Sequence, residues 1–476
     1  MRHRRNRSNR TLVTWLLALV LLIPATAAGT AALAAAGPAS AGQDIRVKLE
    51  AVPGMKVIGE SRPESGYRFF QLTFQQPVDH AHPSAGVFQQ RLTLLHKSES
   101  RPMVLFTTGY GVLPQPYRSE PTQLVNGNQL SVEERFFIPS RPSPADWSKL
   151  DIWQAASDHH SLVMALKKIY PNRWISTGGS KGGMATVYHR RFYPGDVDGS
   201  VAYVAPNDAV NDEDSAYDTF FQKVGTKKCR DALDNLEREG LLRRSRLVPR
   251  YAAEAKKQGL TFKLLGGPDQ AYESVVAGVS WSFRQYHSET ECGNIPSSSA
   301  SDDAIYRSID GISQFTAGTD QELDGFLPYY YQAGTQLGWP TYKQPHLRGL
   351  LRYPDVDVPR KLVPRSIPMR FQKDAMADVS NWVRDHGSRL LFVYGSDDPW
   401  GAEQFALGSG ARDSEKFIAR GANHSADISQ LTPKDRATAT ADVQRWAGVG
   451  GPEAEVRTER IPALDSYKEG LERRPL

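Results

Sequence analysis

The run Gly178-Gly179-Ser180-Lys181-Gly182 places a hydroxyl nucleophile in a G-x-S-x-G spacing. A serine hydroxyl attacks well only when a base takes its proton, and a histidine base needs a carboxylate to hold it. Both follow later in the chain, in the order Ser, acid, His. Gly395-Ser396-Asp397-Asp398-Pro399 offers two acids, of which Asp398 is preferred to Asp397. His424 lies in Gly421-Ala422-Asn423-His424. His80, His82 and His96 precede the serine, and His287 and His346 lie in a segment of different texture. The chemistry implied is acyl transfer, with Ser180 attacking, His424 moving the proton and Asp398 orienting the ring.

The oxyanion of such a reaction needs two backbone N–H donors. Lys181, the residue after the nucleophile, would supply one. Tyr110 or Gly111, in the loop Thr108-Gly109-Tyr110-Gly111, would supply the other. A phosphate-cradling glycine loop is the competing reading, but the G-x-x-x-x-G-K-[ST] spacing is absent. There is no H-E-x-x-H and no Cys/His spacing suited to zinc. Asp158-His159-His160 falls in a helical pattern, where adjacent side chains point apart. No metal and no cofactor are expected.

These residues need rigid elements to hold them. Tyr67 to Gln75 and Phe88 to His96 read as two strands joined by a turn-rich link, and Pro102 to Thr107 as a buried strand ending at the glycine loop. Asp151 to Tyr170 carries an apolar stripe at helical spacing. Trp174 to Ser176 reads as the strand before the serine, Gly182 to Phe192 as the helix after it, and Val201 to Val204 as the next strand. Strand and helix in alternation specify an α/β chain with a parallel sheet. From Asn207 to Pro368 the pattern changes to charged helices, including one predicted over Arg230 to Arg246, with aromatic clusters between them. The alternation returns with a helix at Ala375 to His386, strands at Arg389 to Tyr394 and Lys416 to Ile418, and a helix from Pro433 to Trp446. The partition expected is residues 42–208 and 369–476 as the two parts of an α/β domain, with a mostly helical cap at 209–368.

The first 41 residues stand apart. Five arginines within Met1 to Arg10, an apolar run from Leu12 to Ile23 and small-residue sites ending at Ala41 describe a secretory signal peptide, with room for a short pro-segment after it. The formal net charge is +5, but without residues 1–41 the chain carries 53 basic and 53 acidic residues. Its charge therefore makes no case for nucleic acid. Export would expose Cys229 and Cys292 to oxidising conditions, so a disulfide between them is expected. A secreted monomer with no stable membrane association after loss of the leader is expected.

The run WISTGGSKGGMATVYHRRFYPGDVDGSVAYVAPND, with FVYGSDDPWGAEQF and GANHSADI, resembles the secreted prolyl tri/tetrapeptidyl aminopeptidases of actinobacteria. More distantly it is similar to the lysosomal prolyl carboxypeptidase and dipeptidyl peptidase family, on Asp79-His80, Gly178 to Gly182, Asp398-Pro399-Trp400, Gly421 to His424 and Tyr329 to Gly338. The resemblance implies an α/β-hydrolase fold with a helical cap. It also implies a serine exopeptidase that removes tripeptides, sometimes tetrapeptides, from free peptide or protein N-termini after proline. Such an enzyme needs an acid to meet the substrate ammonium, and Asp208, Asp212, Glu213, Asp214, Glu133 and Glu134 are candidates. It also needs an apolar pocket for the proline ring, to which Tyr329, Tyr330, Tyr331, Trp339 and Trp400 could contribute. A secreted esterase or lipase with the same triad is the alternative, and a hydrolase fold reused for binding is the third reading.

Overall fold

A computed structural model describes residues 42–63, 66–449 and 460–466. The signal-peptide reading falls on residues 1–41, outside the described residues.

Nine strands form one sheet: β1 (Met55–Ser61), β2 (Arg68–Pro77), β3 (Val87–His96), β4 (Met103–Thr107), β5 (Asn128–Val132), β6 (Trp174–Gly179), β7 (Gly199–Tyr203), β8 (Leu390–Gly395) and β9 (Glu415–Ala419). Their order is β1-β2-β3-β5-β4-β6-β7-β8-β9. Strands β1, β2, β3 and β5 pair antiparallel, and from β5 through β4 to β9 the pairing is parallel. Every residue of β4, β6 and β8 is buried, as expected of parallel strands covered on both faces. One cover is the helix Ile152–Leu166, opened by Asp151, whose carboxylate accepts the Gln154 N–H at 2.7 Å. Others are the helix Lys181–Phe192 after β6 and the helix Pro433–Trp446, whose Trp446 ring sits against Gly199 of β7.

Strands β1 and β5 are absent from the sequence-based expectation. β5 reads Asn-Gln-Leu-Ser-Val, with no apolar run to betray burial. Its polar side chains are satisfied internally: the Gln129 carboxamide accepts from the Ser119 N–H, and Asn128 bonds the backbone of Lys97, Ser98 and Pro102.

Between β7 and β8 the described chain is helical, including Ser215–Lys223, Lys227–Leu242, Arg244–Lys257, Pro268–Ala277, Val279–Tyr286, Asp302–Ser313 and Leu327–Gln332. The helix predicted over Arg230 to Arg246 is thus two helices, broken at Arg243 where ψ rises to 9°. These helices bury a core around Leu236, Tyr272, Val276 and Ile309 that also takes in Tyr110, Phe136, Phe137 and Leu150. Cys229 and Cys292 are joined as a disulfide inside this segment, their Cα atoms 5.4 Å apart.

Candidate active site

The chain leaves β6 at Gly179 and turns into the helix Lys181–Phe192 through one residue, Ser180, at φ 56° and ψ −129°. That conformation is strained for a residue with a side chain and costs on the order of 1–3 kcal/mol. The surroundings enforce it. The Ser180 N–H donates to the Tyr203 carbonyl of β7 at 2.9 Å, and the Ser180 carbonyl accepts from the Met184 N–H at 3.0 Å. The glycines exist for close approach. A Cβ on Gly178 would lie 2.5 Å from the carbonyl oxygens of Thr107 and Gly182, and one on Gly182 would lie 2.8 Å from that of Thr108. Strand β4 therefore packs directly on the turn, and the Thr107 hydroxyl donates to the Gly182 carbonyl at 2.8 Å.

The acid and the histidine arrive from loops after β8 and β9. His424 Nδ1 lies 2.8 Å from Asp398 Oδ2, with both side chains buried. Asp398 Oδ1 accepts the Trp400 N–H at 3.0 Å, so both carboxylate oxygens are engaged. Asp397 is turned away and bonds Ser396 instead. A carboxylate at Nδ1 selects the tautomer with the proton there and leaves Nε2 as an acceptor. Nε2 is buried and has no hydrogen-bond partner among the described residues. Ser180 and His424 line one cavity of about 410 Å³, together with Tyr110, Gln285, Tyr329 and Trp400. The His424 N–H donates to the Gln285 carbonyl at 3.2 Å, so the inserted helix Val279–Tyr286 grips the histidine loop.

Lys181 begins the helix after Ser180, where backbone N–H groups have no intrahelical acceptor. Its side chain has a role that the spacing did not reveal. The ammonium is 1 % exposed, donates to the Gly109 carbonyl at 2.6 Å and lies 3.4 Å from Glu134 Oε1. It thereby ties the loop after β4 to the turn that carries Ser180. In that loop Gly109 has φ 70°, and a Cβ there would come 2.5 Å from the Gly182 nitrogen. Tyr110 reaches the cavity, and its N–H donates to Thr108 Oγ1 at 3.1 Å. Gly111 does not line the cavity; its Cα faces the Glu133 carboxylate.

The candidate acids separate by burial and partner. Glu133 is held by Arg91, the Ser140 hydroxyl and the Val112 N–H. Glu134 takes Lys181 and the Tyr188 hydroxyl. Neither lines the cavities at Ser180, so the structure does not bring them to the site. Asp212 and Glu213 are exposed. Asp208 is different: it is 2 % exposed, lines a small cavity of about 20 Å³ with Ser180, and neither carboxylate oxygen has a partner. Burial first, then the charges of Glu403 and Asp214, push its carboxyl up to about 7. Glu403, which sequence reasoning missed, is likewise pushed up to about 7 by burial, then by Asp214 and Glu213.

The aromatic candidates divide as well. Tyr329 and Trp400 face Ser180, whereas Tyr330 and Trp339 line a neighbouring cavity of about 310 Å³ that Trp400 also walls. Tyr331 packs on Trp147, ring centroids 5.4 Å apart. Asp79-His80 is not at the site: Asp79 pairs with Lys149, and His80 bonds Asp158, which is itself locked to Arg135. His159 packs edge-on to His189, and His160 bonds Asp196. The three adjacent residues 158–160 thus point to three places, as their helical spacing implied.

A sheet whose parallel half exchanges β4 and β5, a sharp serine-bearing turn after β6, and a paired acid and histidine in the loops after β8 and β9 define an α/β-hydrolase fold. A match to the PS-10 peptidase S37 family spans residues 38–474, and the chain belongs to that family of serine peptidases. It is 55% identical over 447 residues, 94% of this chain and 93% of the relative, to the prolyl tri/tetrapeptidyl aminopeptidase of Streptomyces mobaraensis. Among solved structures it is similar to a proline iminopeptidase of Mycobacterium smegmatis (11% identity, 79% of this chain and 98% of that one, TM-score 0.35). It is also similar to the peroxisomal alpha-beta-hydrolase Lpx1 of Saccharomyces cerevisiae (9% identity, 84% and 94%, TM-score 0.36). Membership of a peptidase family makes peptides the substrate class. Among the described residues no helix is long and apolar enough to cross a membrane.

Proposed function

We propose that the chain is a secreted exopeptidase that releases tripeptides, and in some cases tetrapeptides, from free peptide N-termini by cleavage after proline. The observation that carries the catalytic part is the His424–Asp398 contact at 2.8 Å, with the unpartnered Nε2 in the cavity that Ser180 enters. Specificity is carried over from the Streptomyces mobaraensis relative.

Ser180 Oγ attacks the scissile carbonyl and its proton passes to His424 Nε2. Asp398 stabilises the imidazolium from the Nδ1 side. The oxyanion forms against the Lys181 N–H, with Tyr110, which reaches the cavity where Gly111 does not, as the second donor. The imidazolium then protonates the departing amine, and water, deprotonated by the same ring, releases the acyl peptide. Tyr329 and Trp400, which line the 410 Å³ cavity with Ser180, offer apolar faces to the proline ring at the cleaved position. The inserted helices restrict entry to chain ends.

The assay compares an unblocked Xaa-Xaa-Pro p-nitroanilide with its N-acetyl form. Turnover of the unblocked substrate is expected to exceed that of the acetylated one by a large, measurable ratio. Equal turnover of both would remove the exopeptidase reading, and ester hydrolysis without peptide turnover would remove the peptidase reading with it.

A further inference from the structure

Resting on that exopeptidase reading, we propose that Asp208, backed by Asp214 and Glu403, is the receptor for the α-ammonium of the substrate's first residue. Three buried carboxylate oxygens here lack a hydrogen-bond partner among the described residues: Asp208 Oδ1, Asp208 Oδ2 and Asp214 Oδ1. A primary ammonium carries three N–H donors and no acceptor, which is the complement of that set. The charged neighbours that act most on Asp208 and Glu403 are acidic. Buried anions left unpaired are costly, and a cation brought by the substrate relieves that cost.

The cluster also adjoins the serine turn. Asp208 shares a cavity with Ser180, and Asp214 Oδ2 accepts from the Thr341 hydroxyl at 2.5 Å. Thr341 in turn lines the 310 Å³ cavity among the inserted helices, and Trp400 and Pro340 wall both spaces. The backbone leaves Asp208 little freedom: Gly338, at φ 88°, presses its bare Cα on the carboxylate, where a Cβ would sit 2.6 Å from Oδ2. The Tyr217 hydroxyl, fully buried and also without a partner, feels Asp208 first among its charged neighbours and supplies a further polar group facing the cluster.

The test is the ratio of kcat/KM for unblocked against N-acetylated tripeptidyl p-nitroanilide in wild type, Asp208→Asn and Glu403→Gln. Loss of one partner from a buried charge pair predicts a fall of about 100-fold for the unblocked substrate in Asp208→Asn. The acetylated substrate, with no ammonium, should not fall with it, so the ratio collapses. Glu403→Gln should reduce the ratio by a smaller factor, chiefly through KM. Fluorophosphonate labelling of Ser180 checks that each variant is folded, and if Asp208→Asn does not fold, Glu403→Gln decides. A folded Asp208→Asn enzyme that keeps the wild-type ratio overturns this proposal and leaves the exopeptidase reading standing. A wild-type ratio near one overturns the exopeptidase reading itself.

Discussion

Lys181→Met separates two roles of one residue. The substitution keeps the backbone N–H beside Ser180 and removes only the ammonium. That ammonium is 1 % exposed, 2.6 Å from the Gly109 carbonyl and 3.4 Å from Glu134. Without it, Glu134 becomes a buried carboxylate whose one remaining side-chain hydrogen bond among the described residues is from the Tyr188 hydroxyl at 3.1 Å. Breaking one side of a buried ion pair costs about 3–5 kcal/mol, and urea unfolding should show a loss of that size. Glu134→Gln in the same chain removes the stranded charge and should restore most of the stability. It cannot restore the tether on Gly109, so turnover should stay depressed in the double variant. The ceiling for that defect is the loss of a whole oxyanion donor, about 100- to 1000-fold in kcat, and a donor displaced without being removed should lie below it. KM should change little, because the loop meets charge that develops only in the transition state. Turnover returning together with stability in the double variant would refute the reasoning, because the defect would then lie in Glu134's charge and not in the held loop.

Other perturbations follow from the same geometry. Gly178→Ala should abolish soluble folded enzyme or its labelling, because the added Cβ meets two carbonyl oxygens at 2.5 Å; wild-type labelling by a fluorophosphonate would contradict it. Asp208→Asn should be stabilising at alkaline pH. The Asp208 carboxyl is raised to about 7 by burial, then by Glu403 and Asp214. A raised carboxyl keeps its proton in the folded state while the unfolded chain gives it up, so wild-type stability should fall as pH rises from about 4 to 7. In the Asn variant that part of the fall should be missing, as read by unfolding at pH 4.5 and 8. Replacing Cys229 and Cys292 by serine opens a link across 63 residues and should cost about 4 kcal/mol on the chain-entropy model, seen as an earlier thermal transition of the inserted helices.

What could be read from the sequence was whatever sits on short, contiguous signals. The serine turn was legible because a buried strand, four glycines and a helix occupy one stretch. Asp398 and His424 were legible because each follows a strand within a glycine-bearing loop. Contacts across distant segments were not. Lys181 is explained by Glu134 and Gly109, which arrive from the loops after β5 and β4. Glu403 matters because it lies beside Asp208, from which the whole insertion separates it in sequence. β5 escaped because buried polar side chains, satisfied by neighbouring backbone, erase the apolar run by which an inner strand is recognised.

The central claim is that Ser180 is the nucleophile activated by His424 and Asp398. The most direct measurement is peptide mapping by mass spectrometry after reaction with a fluorophosphonate, in parallel with tripeptide release. The account predicts a single adduct on Ser180, no adduct and no release in Ser180→Ala, and labelling slowed by several orders of magnitude in His424→Ala. An adduct on another residue, or tripeptide release that survives Ser180→Ala, would contradict it.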